Sequence, residues 1–195
     1  MDTDWESCYQ QGETPWDQGK PSPPLMAEIK RRPVSGRVLV IGCGAGHDVA
    51  ALAGLGLDVT GLGIAPTAIA KARANYPRHA ERFVLGDLFK LPSALRGAFD
   101  VVVEHTCLSA LPPEQRPLYA ASVRAALKPD GQIIGVWFIK PDLDPGETGP
   151  PFPLPVAELD ALFAGNFEIV TDYVPGNSFP QRAYRERVRV LRRIA

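Results

Sequence analysis

Cysteine, histidine and methionine are scarce in this chain of 195 residues, at three, three and two. Cys8, Cys43 and Cys107 are odd in number and widely spaced. That excludes a disulfide scaffold or a spaced zinc cluster and fits reduced thiols in a cytoplasmic protein. No metal site is expected. No apolar run reaches the roughly 18–20 residues that a membrane span needs. The first ten residues, MDTDWESCYQ, are acidic and polar where a signal peptide would be basic and then apolar. Charge of one sign is also lacking: 21 Lys and Arg face 22 Asp and Glu, for a net charge of −1. No global basic field exists to attract nucleic acid. Internal repeats are absent, and the length suits one domain of ordinary size.

What the chain does have is a core and many specified turns. Hydrophobic residues make up 45% and charged residues 22%, which is not the composition of a disordered chain. Proline (20) and glycine (18) are abundant but follow no period, so collagen is excluded. Residues 1–35 read as a polar, aromatic arm with a short helix at 23–32. From residue 37 strand and helix patterns alternate: strands at 37–42, 57–63, 82–87, 99–104 and 132–138, helices at 47–56, 66–76 and 113–131, the last stopped by Lys-Pro-Asp-Gly. A loop with six prolines (141–155), a helix (156–163) and strands at 167–174 and 185–194 follow. The alternation predicts a doubly wound α/β sheet of seven strands, mostly parallel. Two final strands joined without a long helix predict an antiparallel edge pair. The organisation expected is an arm (1–35), a core (36–138) and a C-terminal part (139–195) of one domain.

The first strand runs into Gly42-Cys43-Gly44-Ala45-Gly46-His47 and then a helix. Glycines there allow close ligand approach, and the helix start offers free N–H groups. The spacing is GxGxG, and a dinucleotide fingerprint would want glycine where His47 stands. S-adenosylmethionine (SAM) therefore fits better than NAD. At the end of the third strand, Asp87 with Leu88 and Phe89 can accept from an adenine amino group and cover the ring; alternatively, Asp87 caps the short helix that follows. Glu104 and His105 end the fourth strand at the carboxyl edge, where open α/β sheets bind ligands.

With these residues in place, the chain resembles the thiopurine methyltransferase family of SAM-dependent enzymes, most of all its thiol and halide branch. The resemblance covers nearly the whole chain. It is carried by Trp5 with GETPWDQGKPSP (12–23), by RVLVIGCGAGHDVAALA (37–53) and by FDVVVEHTCLSALPPEQRPLYAASVRAALKPDGQIIGVWF (99–138). It implies a Rossmann-like class I methyltransferase fold. Gly42, Gly44 and Gly46 would surround the methionine part of SAM, Gly63 would stand at the ribose with Ile64 also at the cofactor, and Asp87 and Leu88 would lie at the adenine. Trp5 and Trp16 would be lid residues, with core packing of the arm as the other reading; Tyr9 stands where relatives often carry Trp. An indole face attracts a sulfonium and excludes water. Cys107, Leu108, Pro151 and Phe152, with Trp16, would line a pocket for a small-molecule acceptor.

One departure stands out. The second strand of such folds usually ends in a carboxylate that grips the ribose hydroxyls, and here it ends in Gly63. That raises the alternative of a weakly SAM-binding, non-catalytic homologue. A thiolate or halide acceptor needs no strong base, which suits a chain with three histidines. His105 is the one candidate base; positioning the substrate or lining the SAM pocket are its other roles. Arg116 and Arg124 are expected on the exposed face of a helix. Six of the fifteen arginines fall in the last fourteen residues. They read as a nucleic-acid patch or, with period two, as an edge strand with Val188 and Val190 inward and arginines outward; the second reading is preferred. Nothing in the sequence sets the oligomeric state, and a monomer is compatible with it.

Overall fold

The computed structural model describes residues 3–144, 146 and 148–194. The strand pattern folds as one sheet. β1 (Arg37–Ile41), β2 (Asp58–Gly63), β3 (Phe83–Leu85), β4 (Phe99–His105), β5 (Leu127–Phe138), β6 (Phe167–Tyr173) and β7 (Glu186–Arg193) lie in the order β3-β2-β1-β4-β5-β7-β6. The first five pair in parallel, and β7 is antiparallel to both β5 and β6. Residues 38–41 of β1 are all buried, as a strand covered on both faces requires.

The helices are α1 (Trp5–Gln11), α2 (Pro23–Arg31), α3 (His47–Gly54), α4 (Pro66–Asn75), α5 (Arg116–Ala126) and α6 (Val156–Phe163). One core, with Val38, Val40, Leu52, Ile69 and Leu25, lies under α2, α3 and α4. The other, built on Leu39, Ile41, Tyr119, Trp137 and Phe163, lies under α5 and α6. The chain leaves β1 in one direction and β4 in the other. Their carboxyl ends therefore bound the crevice where such sheets take ligands.

Four details differ from the sequence reading. Trp5–Gln11, expected only as arm, is a helix, capped by Asp4 accepting from the Ser7 N–H at 3.1 Å and ended by Gly12 in the left-handed region. The third strand is shorter than the 82–87 expected, at Phe83–Leu85, and two short 3₁₀ turns (Leu88–Lys90 and Ser93–Leu95) follow it before β4. α5 stops at Ala126, and Lys-Pro-Asp-Gly belongs to β5: the Gly97 and Ala98 N–H groups take the Ala125 and Ala126 carbonyls, and Leu127 pairs with Phe99 ahead of an irregularity that absorbs Pro129.

The fourth difference concerns arginines. Arg116 is 1% exposed, donating to Glu158 at 2.6 Å and to the Pro153 carbonyl at 2.9 Å. The segment around α6 covers the helix face that local periodicity leaves open. On β7, Val188 and Val190 point inward as expected, but Arg189 is buried as well, between Asp160 (2.7 Å) and Asp172 (3.0 Å). A buried guanidinium persists only when it is paired, and α6 and β6 supply the carboxylates. Among the described residues no helix is long and apolar enough to cross a membrane.

Candidate active site

The loop after β1 is a cradle in which side chains have no room. Gly42 (φ 58°) and Gly44 (φ 51°) occupy the left-handed region. A Cβ on Gly42 would come within 2.8 Å of the Cys107 sulfur, and one on Gly44 within 3.0 Å of the Tyr9 hydroxyl. Gly46 follows as the cap of α3. Thr106, just past β4, is a β-branched residue at φ 58°, a costly conformation of the kind that gathers at functional sites.

The arm lies across this cradle. Glu6 accepts from the Thr67 N–H (2.9 Å) and hydroxyl (2.5 Å), which fixes α1 to the start of α4. Trp16 stacks edge-on against Trp5 (5.3 Å between centroids) and Tyr9 (5.8 Å) and donates from Nε1 to the Tyr9 hydroxyl at 3.1 Å. A cleft of about 70 Å3 remains between arm and loop. Tyr9, Trp16, Lys20, Gly42, Gly44, His47, Asp48, His105 and Thr106 are among the residues lining it.

Two histidine–carboxylate pairs clamp the arm to the core. His47 Nε2 meets Asp17 Oδ1 at 2.9 Å and its Nδ1 meets the Tyr76 hydroxyl at 2.6 Å; Asp17 also takes Lys71 at 3.0 Å. His105 Nδ1 meets Asp48 Oδ2 at 2.7 Å, while Asp48 Oδ1 accepts from the Ser22 N–H at 2.7 Å. Burial pushes both carboxyls up. For Asp48 the contact with His105 and the Ser22 N–H, and for Asp17 the Gly19 N–H and Lys71, outweigh it and hold each below the usual carboxylate range.

Arg182 completes the second pair. Its Nη1 is 2.9 Å from His105 Nε2, and its Nη2 donates to the Trp16 carbonyl at 2.8 Å. A guanidinium only donates. Nε2 therefore accepts, and Nδ1 carries the proton given to Asp48. Both ring nitrogens of His105 are engaged. Arg182 is itself 6% exposed, 3.5 Å from Glu186 and packed against the rings of Phe138 and Phe179.

The residues singled out in the sequence divide three ways. Trp16, Gly42, Gly44 and His105 meet in the cleft, with Trp5 packed behind Trp16 and Gly46 closing the loop. Gly63, Ile64, Asp87, Leu88 and Phe89 form a neighbouring shelf at the ends of β2 and β3, tied by the Gly86 N–H to the Gly63 carbonyl at 2.9 Å. Ile64 is 56% exposed there. Asp87 does cap the turn that follows, accepting from the Phe89 N–H at 2.8 Å through Oδ1. Pro151 and Phe152 are half-buried, and the Phe152 N–H joins the loop after β4 at the Ser109 carbonyl.

Two expectations are corrected. Glu104 does not face a ligand. It is fully buried and accepts from the Cys107 N–H (2.7 Å), the Leu108 N–H (2.9 Å) and the Tyr119 hydroxyl (2.5 Å), with burial raising its pKa. Its task is to fold the loop that carries Thr106. Leu108 is 1% exposed within the α5–α6 core and lines no acceptor pocket. Asp17, Lys20, Asp48 and Arg182 were missed. Asp48 had a signal, a carboxylate in the first turn after the glycine loop; Arg182 had none nearby.

Cys43, in the loop, and Cys107, beside it, are half-buried and disfavoured as thiolates. Burial pushes the Cys43 thiol up to about 12, and burial followed by the Glu104 charge pushes Cys107 well above its ordinary value. Both therefore stay protonated at about pH 8. Iodoacetamide is expected to label neither in the native protein and both after denaturation, read by peptide mass spectrometry. Rapid native labelling of Cys107 would restore it as a nucleophile.

A glycine cradle with an apolar shelf at the switch point of a seven-stranded sheet defines the class: a Rossmann-like SAM-dependent methyltransferase. Over residues 1–192 the chain matches the family described as Thiopurine S-methyltransferase, and it belongs to that family. It is 36% identical over 174 residues to thiocyanate methyltransferase 1 of Brassica oleracea, covering 86% of this chain and 74% of that one. It is 33% identical over 192 residues to thiocyanate methyltransferase 1 of Arabidopsis thaliana, covering 94% and 82%. The fold is similar, at a TM-score of 0.75 and 24% identity, to Burkholderia thailandensis 1,6-didemethyltoxoflavin-N1-methyltransferase, solved with its substrate and S-adenosylhomocysteine; 98% of this chain and 86% of that one superpose.

Proposed function

We propose that this methyltransferase acts on a small, soft nucleophile, a thiol first, with thiocyanate, halide or other chalcogen species as neighbours. SAM, when bound, supplies a methyl group on a positively charged sulfur, open to direct in-line displacement. The observation that carries the acceptor class is the engagement of both histidine rings in the cleft. His105 donates a hydrogen bond from Nδ1 to Asp48 and accepts one at Nε2 from Arg182, and His47 is held between Asp17 and Tyr76. Neither ring has a free nitrogen to take a proton, so the acceptor arrives as an anion or loses its proton to water. In this reading His105 is a positioning residue.

The rest of the cleft agrees. Tyr9 and Trp16 roof it with aromatic surface, which excludes water and suits a sulfonium. The relatives named above act on thiocyanate by name. Gly63 bears on how tightly SAM is held and leaves the reaction class unchanged.

The test is turnover of SAM to S-adenosylhomocysteine with 2-mercaptoethanol, bisulfide, thiocyanate, iodide and a thiopurine, each against a no-acceptor blank. Turnover is expected with the small acceptors, with no bell-shaped pH profile for the permanent anions. Turnover of the thiopurine alone would overturn the small-acceptor reading.

A further inference from the structure

The lining of the cleft is rich in charge, yet nearly all of it is spent. Asp17 is held by His47, Lys71 and the Gly19 N–H; Asp48 by His105 and the Ser22 N–H. Arg182, behind the cleft, is spent on His105, Trp16 and Glu186. Lys20 is different. It is the one lysine or arginine among the described residues lining the cleft. It has no carboxylate partner among the described residues, and its ammonium is 5.7 Å from the centre of the Phe179 ring. Its side chain is exposed, so the ammonium sits on a flexible stem at the mouth, beside the part-buried Trp16–Arg182–His105 cluster.

We infer that Lys20 is the specificity-determining residue that draws the anionic acceptor into the cleft and holds it at the mouth; this rests on the acceptor class proposed above. An unneutralised cation beside a low-dielectric aromatic wall focuses its field on the opening. That raises the local concentration and arrival rate of small anions, in a way that salt screens. An ammonium is also a compact donor that tolerates a spherical or rod-shaped anion, where a guanidinium fork would favour a planar carboxylate. Neutral acceptors gain nothing from it. The contact precedes methyl transfer and makes no bond, so it acts on KM for the acceptor more than on kcat.

The full chain with Lys20→Met and Lys20→Arg is compared with wild type. Steady-state kinetics use thiocyanate, a permanent anion, and 2-mercaptoethanol, which is uncharged at about pH 7. Lys20→Met is expected to raise KM for thiocyanate about tenfold with kcat within about twofold, while KM for 2-mercaptoethanol and the affinity for S-adenosylhomocysteine stay within about twofold. Raising ionic strength to about 0.3 M should raise the wild-type thiocyanate KM towards that of the Met variant and leave the Met variant flat. Lys20→Arg should restore most of the loss. A weaker affinity for S-adenosylhomocysteine with unchanged thiocyanate KM would overturn the inference and put Lys20 on the cofactor's carboxylate. No change in any parameter would overturn it too, as a solvated lysine.

Failure of the acceptor class itself is read separately. Calorimetry of thiocyanate into the wild-type and Lys20→Met complexes with S-adenosylhomocysteine needs no turnover. Binding lost in the variant supports the role of Lys20 even if thiocyanate is never methylated; equal binding, or none to wild type, refutes it.

Discussion

Replacing Arg182 with lysine lowers kcat/KM for methyl transfer by about 100-fold while the protein stays folded. Arg182 makes two charged hydrogen bonds at once, to His105 Nε2 at 2.9 Å and to the Trp16 carbonyl at 2.8 Å. The first sets the His105 tautomer, and the second holds the tryptophan that roofs the cleft. Each such bond is worth roughly 1.5–3 kcal/mol, and losing their combined positioning corresponds to about 100-fold. Lysine keeps a positive charge near Glu186, whose carboxylate is fully buried. It has no rigid fork, so it cannot reach both partners.

Methionine at the same position removes the charge as well and leaves Glu186 buried without a cation. Breaking a buried pair in that way costs roughly 3–5 kcal/mol, so Arg182→Met should also lower the thermal midpoint markedly. The two variants separate positioning from stability. If Arg182→Lys keeps kcat/KM within about threefold of wild type, the clamp between arm and core is irrelevant to turnover.

Gly63→Asp tightens binding of S-adenosylhomocysteine by about tenfold. The position ends β2, beside exposed Ile64, where the family resemblance places a carboxylate on the ribose hydroxyls. A charged hydrogen-bonding partner there is worth roughly 1.5–3 kcal/mol. Part of that is lost to crowding. A Cβ at 63 would lie 3.1 Å from the Ile69 Cδ1 and 3.4 Å from the Cys43 sulfur. The tip of Ile69 must turn within a closed core, at about 0.5–1.5 kcal/mol. Gly63→Ala carries the crowding without the carboxylate and should bind equally or slightly more weakly. Calorimetry decides it: an Asp variant no tighter than the Ala variant would mean that the ribose does not lie at this position.

The parts of this protein legible in its sequence are those written by neighbours along the chain. The apolar run 38–41, the glycines that follow and the helix at 47 form one local unit, because a strand buried on both faces and a left-handed turn each demand particular residues in sequence. The antiparallel last pair followed from the short connection between its strands. Where local signals were ambiguous, packing decided. Asp87 was weighed as ligand or cap, and its Oδ1 is seen in the cap. Lys-Pro-Asp-Gly looked like a helix stop and is instead strand, because the carbonyls of Ala125 and Ala126 are taken by residues 97 and 98.

Charge was the least legible feature. Arg116 and Arg189 look like surface residues to any periodicity argument and are buried, since the carboxylates that neutralise them come from α6 and β6. Glu104 stands at the ligand edge and turns inward for the same reason in reverse: its donors, Cys107, Leu108 and Tyr119, surround it.

The sequence by itself determined a doubly wound sheet, a glycine loop at the carboxyl end of its first strand and, with three histidines and three cysteines, a chain sparing in acid–base groups. Only the tertiary structure decided which charges are spent and which are free. His105 meets Arg182 across 77 residues, and Arg182 meets Trp16 across 166. Pairing at such distances depends on how the arm and the last loop close over the sheet. Whether a histidine is a base or a strut is a property of its neighbours in space.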